Sequence, residues 1–174
     1  MHHLVECSHE RHAGAILEIF NDAIMSSTAL FDYQPRQPES MAGWFRAKEA
    51  GRFPVLGVEG DDGRLLGFAS YGTFRNWPAY KYSVEHSVYA HKDHRGAGVG
   101  TVLMKHLIER AKRQEYHVMV AGIDVTNVAS IALHERLGFV HAGTIRQVGF
   151  KFGRWLDLAF YQLTLTTPDA PVDG

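Results

Sequence analysis

Glu85-His86-Ser87-Val88-Tyr89-Ala90-His91-Lys92-Asp93-His94-Arg95-Gly96-Ala97-Gly98-Val99-Gly100 is the stretch that decides how this chain is read. Glu85 to Ala90 alternates and is rich in strand formers, which predicts a β-strand. Gly96, Gly98 and Gly100 then strip side chains from alternate positions. A helical pattern follows at once, about Gly98 to Glu115, with Val99, Val102, Leu103, Leu107 and Ala111 on one face. Strand, bare turn and helix N-terminus in succession make an anion site, because unpaired N–H groups and the helix dipole both point there. The spacing predicts a grip on a phosphorylated cofactor.

The common nucleotide fingerprints do not fit. A Walker A loop needs Lys-Ser or Lys-Thr after its last glycine, whereas Gly100 is followed by Thr101-Val102. A dinucleotide loop spaces its glycines G-x-G-x-x-G in an early βαβ unit, but Gly96, Gly98 and Gly100 alternate, far from the first strand.

Working outward, Leu4 to Cys7 reads as a short strand and Glu10 to Met25 as a helix with Ala15, Ile16, Ile19, Phe20 and Ala23 on one face. Ser26 to Ser40 is irregular and long enough to carry function. A second helix runs from about Pro38 to Ala50. Strands at Phe53–Glu59 and Arg64–Tyr71 flank Asp61-Asp62-Gly63, a hairpin signal. Thr73 to Lys81 is an aromatic, basic loop ahead of the Glu85 strand. Val118 to Ile123 is almost wholly apolar, as in a strand covered on both faces. Asn127 caps a further helix, Gly138 ends it, and strands follow near Phe139–Gln147 and Trp155–Leu165. The order β-α-α-β-β-β-α-β-α-β-β predicts one α+β domain over residues 1–166, with residues 167–174 a flexible tail.

Composition narrows the function. The 18 basic and 19 acidic side chains nearly cancel among 174 residues, so no strong field argues for nucleic acid or membrane as partner. No apolar run approaches the roughly 20 residues that span a bilayer, and no signal-peptide core opens the chain. A single cysteine, Cys7, excludes an intrachain disulfide and favours a reducing, cytoplasmic setting. Among 11 histidines, His86, His91 and His94 cluster in sequence, yet no zinc-ligand spacing is present and no metal is expected.

Arg95-x-x-Gly98-x-Gly100 after a Val-Tyr strand resembles the acyl-CoA pyrophosphate loop of GNAT-type N-acetyltransferases. Asn127-x-x-Ser130-x-x-x-His134-x-x-Leu137-Gly138-Phe139 resembles the helix that flanks the pantetheine arm in that family. Glu85-x-Ser87-Val88-Tyr89, Lys151-Phe152-Gly153-x-Trp155-x-Asp157 and Phe31-x-x-x-Pro35-x-x-Pro38 are similar to the phosphinothricin/methionine sulfoximine N-acetyltransferase branch. The resemblance covers essentially the whole chain. It implies the GNAT fold, a single domain with a central mixed, mostly antiparallel twisted sheet flanked by helices, and acetyl-CoA as co-substrate. The acceptor it implies is the α-amine of an amino-acid analogue such as L-phosphinothricin, L-methionine sulfoximine or sulfone. A homodimer and resistance to a glutamine-synthetase inhibitor are implied with it.

The resemblance also distributes roles. Glu85 matches the catalytic glutamate and would act as general base, directly or through water; partial burial would raise its pKa toward the task. His134 would protonate the departing thiolate or assist Glu85. A backbone N–H of Val88 or Tyr89 would polarise the thioester carbonyl, with main chain to Ala90 pairing the pantetheine arm. Backbone of Arg95, Gly96, Ala97, Gly98, Val99, Gly100 and Thr101 would hold the pyrophosphate, with the Arg95 side chain as salt partner. Asn127 and Ser130 would touch the pantetheine. Phe31, Arg75, Tyr80 and Tyr89 match positions lining the amino-acid pocket, where a guanidinium suits a carboxylate or phosphinate. Trp77 stands where some members of the branch carry a second basic residue, which weakens the case for phosphinothricin itself and leaves room for the sulfoximine or sulfone. Two other readings are a protein N-terminal acetyltransferase of the same fold, which needs an open peptide groove, and a non-catalytic acyl-CoA-binding module, which needs no Glu85.

Overall fold

A computed structural model describes residues 2–173. In chain order it contains β1 (His3–Glu6), α1 (His9–Ser26), α2 (Glu39–Ala50), β2 (Val55–Glu59), β3 (Leu65–Thr73), β4 (Ser83–Ala90), α3 (Val99–Arg113), β5 (Val118–Asp124), α4 (Val128–Arg136), β6 (Val140–Lys151) and β7 (Arg154–Thr164). Short 3-10 turns occupy Pro78–Tyr80 and Lys92–His94. The order of helices and strands is the one the periodicity predicts. Seven strands form a mixed, mostly antiparallel sheet in the order β1-β2-β3-β4-β5-β7-β6, the α+β arrangement expected. The chain divides into two compact units, Met1–Gly72 with Ser87–Leu107, and Thr73–His86 with Ile108–Gly174.

In the first unit β1, β2 and β3 pair antiparallel. Ser8 caps α1 by accepting from the Arg11 N–H, so the helix starts one residue before the sequence pattern suggests. Its apolar stripe places Ile16, Ile19 and Phe20 in a core with Met41, Val55, Leu65 and Phe68. Gly67 is required by close packing: a Cβ there would lie 2.7 Å from the Tyr89 carbonyl oxygen and 2.8 Å from Val99 Cγ1. Buried Glu59 is fully engaged, accepting from Arg11 at 2.8 Å and from His12 at 3.1 Å.

In the second unit the N-terminal part of β4 runs parallel to β5, and β5 and β6 both pair antiparallel with β7. Met119, Val120, Ala121 and Ile123 of β5 are buried, as its apolar run requires. β6 continues to Lys151 instead of ending at Gln147. The register shifts between Ile145 and Gly149, and Gln147 takes φ 52° there, its N–H held by Asp157 Oδ1 at 2.8 Å. The tail expected to fray is tied back: Thr167 Oγ1 donates to the Tyr116 carbonyl, and the Val172 N–H donates to the Tyr82 hydroxyl at 3.1 Å.

Candidate active site

The first unit carries the anion loop. β4 ends at Ala90, His91 caps the Lys92–His94 turn by accepting from the Asp93 N–H, and the chain then reaches α3 at Val99. Gly96 and Gly98 take φ of +79° and +81°, a region that side chains disfavour. Nothing lies within 4 Å of where a Cβ would sit at either glycine, so the turn presents bare backbone outward. The N–H groups of the first turn of α3, at Val99, Gly100 and Thr101, have no carbonyl four residues back inside the helix. A diphosphate fits such a cradle by charge and by space.

The Arg95 guanidinium, expected as a salt partner for the cofactor, donates to Asp22 of α1 and remains about half exposed. Tyr89 is half-buried, its ring 5.4 Å from both Phe20 and Phe68. Phe31 is exposed. Burial, and then the Glu59 carboxylate, push the Cys7 thiol up to about 12, which makes it inert as a nucleophile. The chain has no other cysteine to carry an acetyl group.

The second unit carries Glu85, Arg75 and Tyr80. Burial raises the Glu85 carboxyl above its ordinary pKa, and the Arg75 guanidinium pulls it partly back. Glu85 nonetheless keeps an exposed surface, so it is open to solvent on one side and walled on the other. Gly122 of β5 forms part of that wall, since a Cβ there would lie 3.3 Å from Glu85 Oε1. Arg75 lies over the Phe74 ring at 5.2 Å, and Phe74 meets Tyr80 edge-on at 5.6 Å. A raised-pKa carboxyl, a guanidinium and a phenol thus share the 73–86 segment.

At the end of β5, Asp124 Oδ1 accepts from the Thr126 N–H and hydroxyl at 2.8 and 2.9 Å and shapes the turn into α4. Asn127 Oδ1 caps α4 by accepting from the Ser130 N–H at 3.1 Å. His134 is buried, and both its ring nitrogens are engaged: Nδ1 lies 2.7 Å from the Ser130 carbonyl and Nε2 2.9 Å from His86 Nε2. Direct proton delivery by His134 would break one of these bonds. In the sequence His86 reads only as a candidate metal ligand; strand alternation turns it away from Glu85, and that alternation is its one signal. Gly122 gave none. Among the described residues no group of three or more His, Cys, Asp or Glu side chains is placed to hold a metal, and no helix is long and apolar enough to cross a membrane.

Residues 16–139 match the acetyltransferase (GNAT) family model. The chain belongs to the GNAT acetyltransferase family. A curated GNAT relative, an L-methionine sulfoximine/L-methionine sulfone acetyltransferase of Pseudomonas paraeruginosa, is 48% identical over 90% of this chain and 91% of its own. Among solved structures, a putative acetyltransferase from Acinetobacter baylyi superposes with TM-score 0.99 at 61% identity, covering 100% of this chain and 97% of that one. A putative acetyltransferase from Salmonella typhimurium, solved with its cofactor acetyl-CoA, gives TM-score 0.93 at 40% identity over 99% and 98% of the two chains. This GNAT chain is therefore an acyltransferase that shares at least 90% of its length with each of these relatives.

Proposed function

We propose that the protein transfers the acetyl group of acetyl-CoA to the α-amine of a small amino-acid analogue, with methionine sulfoximine and sulfone as the preferred acceptors and Glu85 as general base. The observation that carries this reading is the Glu85 carboxyl itself, raised in pKa by burial, walled by bare Gly122, and facing the charge of Arg75. An ammonium has no lone pair, so its proton must leave before nitrogen can attack. A carboxylate with an ordinary pKa near 4 is a poor acceptor for that proton; one raised by desolvation is better matched. The relative at 48% identity acts on these two acceptors. Trp77, in place of a second basic residue, puts phosphinothricin behind them.

Acetyl-CoA, when bound, supplies a thioester carbonyl whose C–S bond breaks as the N–C bond forms. In the first unit, backbone N–H groups of Arg95 through Thr101 would neutralise the pyrophosphate, main chain at Val88 to Ala90 would pair the amide-rich arm, and the N–H of Val88 or Tyr89 would face the carbonyl oxygen. In the second unit, Asn127 and Ser130 would meet the pantetheine, and Arg75 with Tyr80 would take the acceptor's carboxylate. Glu85 removes one proton from the ammonium and passes it to solvent; nitrogen loses a second as the N–C bond forms, and that one matches the proton the departing sulfur takes up. Direct attack needs no acyl-enzyme, and the Cys7 thiol, raised by burial, is a poor acyl carrier.

Thiol release from acetyl-CoA should be measured with L-methionine sulfoximine, L-methionine sulfone, L-phosphinothricin, ordinary amino acids and a peptide beginning Ser-Ala. Turnover on the sulfoximine and sulfone above the rest is the expected result. Turnover on the peptide alone would overturn this reading in favour of a protein N-terminal acetyltransferase.

A further inference from the structure

The second unit buries a pair of imidazoles that the reaction above leaves without a task. His86 is 6% exposed and His134 2%, with Nε2 atoms 2.9 Å apart. Their rings stack at 5.1 Å, and Phe139 packs on both, at 5.3 Å from His86 and 5.0 Å from His134. Two neutral imidazoles meeting Nε2 to Nε2 share one proton, so one ring donates and the other accepts. The partner of His134 Nδ1 is a carbonyl oxygen, which accepts, so the proton of His134 sits on Nδ1. His134 Nε2 is then the acceptor, and His86 Nε2–H the donor.

That assignment leaves His86 Nδ1 as a bare lone pair, buried without a hydrogen-bond partner. Burial, and then the neighbouring His134, keep the ring neutral against the Val120 backbone, which favours charge but lies outside hydrogen-bond geometry to Nδ1. A buried polar atom without a partner is costly, and an apolar pair of the same shape would hold β4 to α4 without that cost. What the imidazole pair adds is direction, since a hydrogen bond fixes one geometry and an apolar contact tolerates several.

The position of the pair shows what needs fixing. The β4–β5 ladder runs Ser83↔Val118, Val84↔Met119 and Glu85↔Val120, so Glu85 stands on its last rung. His86 is the next residue, and alternation sends its ring to the opposite face, onto α4. The geometry points to His86 as a positioning residue for acetyl transfer, whose bond to His134 fixes the end of the β4–β5 ladder against α4 and so aims the Glu85 carboxyl. The inference rests on the reading of Glu85 as base.

Two substitutions test it. His86→Gln keeps an N–H donor where Nε2–H stood, and His86→Phe keeps the ring's bulk without the donor. Steady-state rates with methionine sulfone and acetyl-CoA should show His86→Phe losing about tenfold or more in kcat, the penalty of a slightly misaimed catalytic group. KM for acetyl-CoA should hold, and His86→Gln should recover most of kcat. A purely structural role would lower the folded fraction of both variants and leave kcat per folded molecule intact. Spectra of the wild type labelled with 15N-histidine should show His86 as the Nε2–H tautomer and His134 as the Nδ1–H tautomer. Full kcat in His86→Phe, equal loss in His86→Gln, or an Nδ1–H tautomer at His86 would overturn the inference. Glu85→Gln run alongside separates the failures. An inactive Glu85→Gln with a fully active His86→Phe sinks the positioning role alone, whereas a fully active Glu85→Gln sinks the base assignment and the positioning role together.

Discussion

Gly122→Ala should separate stability from activity, moving them in opposite directions. Gly122 lies on β5 outside the left-handed region, so alanine meets no backbone strain there. The added Cβ would sit 3.3 Å from Glu85 Oε1 and 3.4 Å from Leu158 Cδ1. The first contact is tight, and the Glu85 carboxyl, at the end of a flexible chain, gives way by a few tenths of an ångström. Stability hardly suffers. Restricting the unfolded chain should instead stabilise the fold by about 0.4–1 kcal/mol. Activity does suffer, because a misplacement of about 1 Å can cost about a hundredfold, and a third of that displacement scales to about fourfold in kcat. Fourfold corresponds to about 0.8 kcal/mol in the barrier. The methyl group also takes water from one side of a carboxyl whose pKa burial already raises. That pKa should rise further, so the deprotonated fraction at a given pH falls and the acid limb of kcat/KM moves to higher pH. Thiol release with methionine sulfone at saturating acetyl-CoA, followed across pH and paired with a thermal melt, reads all three quantities. An unchanged kcat and acid limb would refute the argument, as would a rate loss matched by a fall in Tm.

Gly98→Ala meets no steric obstacle, but it must hold φ near +81°, so the turn should relax and withdraw an N–H from the anion cradle. Losing one hydrogen bond to a charged group should raise KM for acetyl-CoA about tenfold with little change in saturated kcat, measurable in the same assay. Acid should weaken the fold through the buried histidines. Burial, with the neighbouring His134, lowers the His86 pKa from 6.5 to about 3. Burial also lowers the His134 pKa. Below the unfolded value the unfolded chain binds protons that the native state refuses, so stability is complete above 6.5 and drains as pH falls toward about 3. Urea midpoints should fall between neutral pH and mildly acidic pH, and fall less in His86→Phe.

Features set by local periodicity were legible in the sequence. Each helix and strand shows its own apolar spacing, and the glycines after β4 declare a turn by leaving out side chains. Boundaries slipped where hydrogen bonds overrule composition: Ser8 starts α1 early, and the Asp157 bond to the Gln147 N–H carries β6 on to Lys151. Pairings distant in sequence were not legible. The ion pair of Arg95 with Asp22 joins residues 73 positions apart, and neither announces it. His86 and His134 are 48 positions apart, and neither residue advertises the other. The packing of Tyr89 on Phe20 and Phe68 likewise joins residues distant in sequence, and its place on β4 alone does not reveal it. Gly122 matters for an atom it lacks, which no pattern of residues reveals.

Everything proposed for the reaction turns on Glu85 taking the acceptor's proton. Its most direct test is Glu85→Gln, which keeps shape and removes the base, with kcat on methionine sulfone and the Kd of acetyl-CoA measured together. Loss of most turnover with acetyl-CoA affinity unchanged is the expected result. Wild-type turnover in that variant would contradict it.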